Sequence, residues 1–192
     1  MRAIIKKTVL VVLMFATLFV SANENEKPSK AKKTVKVEFK NVKVGHTLKI
    51  KDKQGIVVYK DKIKTEGNFT KNFDFTALEN GVFSMELEKD FEIVIKEFSI
   101  KDGFVTFLET DNTSIFKPVI RTKNDLLLIT KLCFNNEPLN ITIYYDNEVI
   151  LEDNAAGAQI LNKAYKLSLN KTGNYKVVIY SDDRKYSKDF TI

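Results

Sequence analysis

His46–Ile100, HTLKIKDKQGIVVYKDKIKTEGNFTKNFDFTALENGVFSMELEKDFEIVIKEFSI, and Glu137–Ile192, EPLNITIYYDNEVILEDNAAGAQILNKAYKLSLNKTGNYKVVIYSDDRKYSKDFTI, repeat one another in pattern ninety-one positions apart. In each, an alternating strand meets a polar turn (Lys51–Gly55, Asp146–Glu148), and a short strand and a polar loop follow. A strand of larger apolar residues comes next (Phe69–Phe75, Tyr165–Leu169). A turn with glycine (Asn80–Gly81, Thr172–Gly173) then leads into a closing two-strand hairpin. A repeat at this spacing describes the fold before any residue is read for chemistry, and it implies two related β modules in series.

Working outward, period-two alternation dominates. Val35, Val37 and Phe39 alternate with Lys36, Glu38 and Lys40, and Phe83, Met85 and Leu87 alternate with Ser84, Glu86 and Glu88. Successive side chains of a strand point to opposite faces, so each run has one buried and one wet face, the mark of antiparallel sheets. Asn80-Gly81, Asp102-Gly103, Asp146-Asn147 and Thr172-Gly173 punctuate the runs with residues that tolerate positive φ. Helical periodicity is missing; Thr76–Glu79 offers one turn at most. The expectation is all-β: two tandem Ig-like antiparallel sandwiches, module 1 over 34–101 and module 2 over 102–192, with Phe104–Glu109 and Leu126–Phe134 as extra strands opening the second.

Residues 1–22 read as a secretory signal peptide. Arg2, Lys6 and Lys7 precede the apolar run Thr8–Val20, and Val20-Ser21-Ala22 offers small residues for cleavage. The run is too short to span a bilayer, which needs about 20 residues, so no stable membrane span is expected after cleavage. Residues 23–33, NENEKPSKAKK, form a basic tail too polar to fold alone. Removing Arg2, Lys6 and Lys7 lowers the net charge from +6 to +3, and the tail carries much of that remainder, so nucleic acid is not an expected partner. Cys133 is the single cysteine, which excludes an intramolecular disulfide, and its apolar neighbours suggest a buried thiol.

No constellation for catalysis, metal or cofactor emerges. His46 is the only histidine, expected at a turn or surface, and the aspartates sit singly or in turns without calcium-loop spacing. Tyr144 and Tyr180 could share an outer face as an aromatic contact surface for a sugar or peptide; pairing across strands is the more common explanation of such tyrosines.

The first repeat resembles the C-terminal sorting domain of the bacterial type IX secretion system. The resemblance rests on Leu48–Ile50, Lys53-Gln54-Gly55, Ile56–Tyr59, Phe73–Leu78, Asn80-Gly81-Val82-Phe83 and Ile93–Ile100, roughly a third of the chain. The last repeat offers Thr172-Gly173-Asn174-Tyr175 and Lys188–Ile192 at the corresponding places. The motif residues are thus Gly55, Asn80, Gly81, Phe83, Gly173, Tyr175 and Lys188. The resemblance implies an Ig-like sandwich and export across the outer membrane, with the secretion machinery as one partner. The expected function is non-enzymatic contact with a protein or cell-surface partner, in a secreted or surface location; the alternatives are a periplasmic protein sharing the fold and a carbohydrate-binding module. The closing strand Lys185–Ile192 is the expected contact edge.

Overall fold

A computed structural model of the chain describes residues 33–108, 113–167 and 172–192. The expected signal peptide, all of the basic tail but Lys33, Glu109 of the expected strand Phe104–Glu109, and Ser168 and Leu169 of the expected strand Tyr165–Leu169 lie outside the described residues. Among the described residues every regular element is a strand, fifteen in order, and every pairing is antiparallel.

The first sandwich sets β1 (Thr34–Val42) and β4 (Gly67–Asp74), paired with each other, against a six-stranded sheet. That sheet runs β3 (Val57–Lys62), β2 (Thr47–Asp52), β5 (Gly81–Glu88), β6 (Glu92–Lys101) and β7 (Phe104–Phe107), with β8 (Thr113–Phe116) also on β6. The second sandwich sets β13 (Ile160–Lys166), β10 (Leu126–Leu132) and β9 (Val119–Lys123) against β12 (Glu148–Ala155), β11 (Leu139–Tyr145), β14 (Asn174–Ser181) and β15 (Arg184–Thr191), in that order.

The orders 3-2-5-6 and 12-11-14-15 are the same walk, and β1–β4 matches β10–β13. The register agrees as well. Ile50 pairs Met85 and Leu48 pairs Leu87, while Ile143 pairs Val177 and Ile141 pairs Ile179. Each first hairpin slips register once, between Ile50 and Lys51 and between Ile143 and Tyr144. Because β-strand side chains alternate, this common register sends the same positions inward in both halves.

Turn chemistry fixes the hairpins. Asp146-Asn147 and Asp182-Asp183 hold positive φ at both central residues, as does Asp102-Gly103, the geometry of two-residue hairpin loops matched to strand twist. At the β2–β3 turn, Asp52 Oδ1 accepts from the backbone N–H groups of Gln54 (3.0 Å) and Ile56 (2.8 Å), and Gly55 takes φ 82°.

Two cores result. The first is aromatic: Phe73, Phe75, Phe98 and Phe83 stack in sequence at 4.8–5.6 Å between centroids. The second is mainly aliphatic, built on Leu127, Ile129, Leu139, Ile141, Ile143, Val177 and Ile179, with Tyr175 stacked on Phe190 at one end.

The seam differs from the sequence expectation. Phe104–Phe107, expected to open the second module, hydrogen-bonds to β6 in the first sheet, and Thr113–Phe116 joins it there. The reason is the tight Asp102-Gly103 turn, which folds β7 straight back on β6 rather than releasing it; the chain crosses to the second core only after Phe116. Residues 32–192 form one compact unit. Arg184, the first residue of β15, grips Glu86 on the outer face of the first sheet through two guanidinium nitrogens, at 2.8 and 3.2 Å, and Phe116 meets Phe134 edge-on at 5.6 Å.

Candidate interaction surface

The motif residues of the first half converge on one end of its larger sheet. Gly55 closes the β2–β3 turn, Asn80-Gly81 leads into β5, and Phe83 points inward two residues on, stacking on Phe98 at 5.4 Å. A Cβ on Gly81 would lie 3.6 Å from the Phe83 ring, an ordinary packing distance, so this position does not demand glycine. Around these turns runs an open groove of about 490 Å³, floored by Phe83 and edged by Val58, Leu78 and Val82. Val82 and Val58 are 43% exposed, and Ile56, on the adjoining turn, 63%. These apolar groups are left wet around the turn cluster, beside Asp52, Lys53 and Glu79.

Residues 27–101 match the family model of the secretion system C-terminal sorting domain. The matched segment contains Gly55, Asn80, Gly81 and Phe83, so the groove lies within that segment. No curated protein matches the chain. Among solved structures, it is similar to a biofilm-associated protein's BSP domain (13% identity, TM-score 0.30, 82% of this chain) and to the human OSCAR ligand-binding domain (6% identity, TM-score 0.26, 83% of this chain and 89% of that one). The chain spans 27% of the biofilm-associated chain.

In the second half, Gly173 takes the place of Gly81: its N–H and C=O bond Ile192 as Gly81 pairs Ile100. A Cβ there would come 2.9 Å from the Tyr145 ring, which only glycine avoids. Tyr175 replaces Phe83 and stacks on Phe190 at 5.6 Å, as Phe83 does on Phe98. Phe83 and Tyr175 are therefore core residues, 8% and 2% exposed, and present no free ring to a partner. Lys188 is likewise engaged: its Nζ donates to the Ile120 carbonyl at 2.9 Å, tying β15 to β9 across the sandwich. Tyr144 and Tyr180 do fall on one face of the second sheet, but Thr142 and Val178 lie between their cross-strand pairs. Four residues of strand rise place them about 13 Å apart.

Side-chain pairs that sequence patterning did not single out recur in both halves, ninety-two residues apart (61 and 153, 71 and 163). Lys71 pairs Asp61 at 3.0 Å and Lys163 pairs Asp153 at 3.0 Å, each joining the two sheets at the same edge. A tyrosine hydroxyl donates to each carboxylate, Tyr59 to Asp61 at 3.0 Å and Tyr165 to Asp153 at 2.7 Å, from different strands. The Lys71 and Tyr59 hydrogen bonds hold the Asp61 carboxyl below its ordinary range, and burial raises the Tyr165 hydroxyl. The outward acids Glu86 and Glu88 form a ladder with Lys51, Lys49 and Lys117 at 2.8–3.1 Å. Burial pushes the Glu86 carboxyl up, yet hydrogen bonds from Arg184 and Lys51 outweigh it and leave the group below its usual value.

His46 closes the turn before β2, its N–H donating to the Lys43 carbonyl, and is 6% exposed: Nδ1 accepts the Lys43 N–H at 3.1 Å, and Nε2 lies 3.5 Å from Asp90 Oδ1. It buttresses the loop before β2. Cys133 is buried, and burial raises its thiol. Among the described residues no group of three His, Cys, Asp or Glu is placed to hold a metal ion.

Proposed function

We propose that this chain is an exported, non-enzymatic contact protein, made of a type IX sorting-domain module followed by a second module of the same descent. The match of 27–101 to the sorting-domain family carries the reading. The shared strand order and register of the second sandwich support its being a second copy, adapted rather than unrelated. The sorting-domain match favours a secreted or surface location and contact with the secretion machinery. The open groove beside the β2–β3 turn and Asn80-Gly81 is where that machinery would be met. The test is fractionation of cells carrying the intact chain, in wild type and in a type IX secretion mutant. Surface or medium location in wild type, with periplasmic retention in the mutant, is the expected result. Identical periplasmic location in both strains would overturn it.

A further inference from the structure

The two halves differ at one edge. In the first sheet the outer edge of β6 is taken: Phe98 pairs Phe107 and Ile100 pairs Val105 on β7, and Ile93 pairs Ile115 on β8. With those strands in place Phe98 is 0% exposed and Ile100 2%. The strand in the same place of the second sheet is β15, and among the described residues β14 is its one ladder partner. Phe190 and Ile192, at the positions of Phe98 and Ile100, are left half-buried against the core. Ile120 of the facing sheet also packs against this core, its carbonyl already bound by Lys188.

We infer that the free edge of β15 is a strand-acceptor site, filled by an extended segment of a partner protein that carries large apolar residues at alternate positions and pairs antiparallel with Phe190–Ile192. The inference rests on the contact-protein reading and names its partner's chemistry. The template is intramolecular. Phe104–Phe107 shows what this edge takes, with an aliphatic residue opposite the Ile192 position and an aromatic one opposite the Phe190 position. Two further observations favour β15 over β3 and β12, the opposite edges of the two larger sheets. Its ladder with β14 runs over eight pairs without a slip, whereas β12 and β3 are each broken by a bulge; an even ladder offers regularly spaced free N–H and C=O groups. Its outward charges do not bar pairing, since β6 carries outward Glu97 and Lys101 and is paired all the same.

The test titrates the whole isotope-labelled chain with an acetylated peptide of the sequence Gly103–Leu108. The expected result is amide shifts and slowed exchange confined to β15 and the neighbourhood of Ile120, and roughly tenfold weaker binding when the peptide's Val and second Phe are replaced by Ser. A second form of the chain, lengthened after Ile192 by the sequence of residues 101–107, should melt higher and stop responding to the peptide. If the free peptide is silent but the lengthened chain melts higher with β15 protected, the acceptor site stands. Shifts on β3 or β12 instead, or a lengthened chain with an unchanged melting point and no protection on β15, overturns the inference. Fractionation is indifferent to all of these outcomes, so failure here leaves the sorting reading separately testable.

Discussion

Phe39 and Lys131 occupy one position in two sandwiches of the same strand order. Phe39 faces Phe69 across β1–β4 and Lys131 faces Leu161 across β10–β13, and both are almost fully buried, at 3% and 2%. The phenylalanine completes an aromatic core. The lysine instead leaves the core at its base, where Nζ bonds Ser181 at 2.6 Å and forms an ion pair with Asp182, itself held by Asn135 at 2.9 Å. The first half has an acid in the same slot, Asp90, but there it is 46% exposed and paired with Lys43 and His46. One fold thus carries two solutions. Where the base faces solvent, a surface ion pair suffices; where it abuts the other sandwich beside Arg184, the charge is buried and needs a lysine from the core.

The sharpest way to break this comparison is at that shared position. Phe39→Ala should cost about 3–5 kcal/mol by opening a core cavity. Lys131→Ala should cost a similar amount, about 3–5 kcal/mol, because it strands Asp182 without its cation. The two diverge on isosteric replacement: Lys131→Met combined with Asp182→Asn should stay within about 1 kcal/mol of the parent or exceed it. Urea unfolding of the three variants checks this. A Lys131→Ala loss under about 1 kcal/mol would mean the pair is not buried as described.

Next in size is the junction. Arg184→Ala removes a two-pronged hydrogen bond to a buried carboxylate, so about 1.5–3 kcal/mol should be lost. The loss should appear as separation of two unfolding transitions, one per core, when aromatic fluorescence and amide exchange are followed together. A single transition shifted as a whole would show that Phe116–Phe134 and the linking chain couple the halves without it.

Acid should act on the halves unequally. Burial pushes the Asp182 carboxyl up, but hydrogen bonds from Lys131 and Asn135 bring it below its ordinary 3.8, and Glu86 lies below its ordinary 4.5. A depressed folded value means the contribution is complete above the unfolded value and is lost as pH falls through the folded one. As pH drops below those ordinary values, the second half and the junction should therefore lose amide protection before the aromatic core does. Simultaneous loss throughout would remove the distinction drawn between Asp90 and Asp182.

The smallest effect concerns what the halves share. Lys71→Met and Lys163→Met should each weaken stability slightly and to a similar degree, with the difference fading at high salt, as expected of half-exposed pairs. Thermal melts at low and high salt would show whether the recurring Lys–Asp contacts are equivalent.

Much of this was legible in the residues. Alternation in Val35–Phe39 and Phe83–Leu87, and the Asp-Gly and Asp-Asn turns, place strands and hairpins because those are local properties. The pairing of β1 with β4, and of β10 with β13, is not local: these strands leave the sheet of their sequence neighbours, and no turn announces it. Burial of Lys131 and Glu86 was hidden for the same reason. Residue type predicts wet positions for both; Lys131 takes an inward place on β10, and the Arg184 end of the second half covers Glu86. Gly55 lies in the β2–β3 turn and Gly81 opens β5, while Phe83, Tyr175 and Lys188 are held within the sandwiches, since an inward position and a motif position look alike along a strand.

The central claim is that both halves follow one strand plan. Cross-strand nuclear Overhauser contacts in the intact labelled chain test it most directly. The account predicts Ile50–Met85 and Phe83–Phe98 contacts in the first half and Ile143–Val177 and Tyr175–Phe190 in the second, with β13 lying on β10. A β13 found paired with β12, or β14 found away from β11, would contradict it.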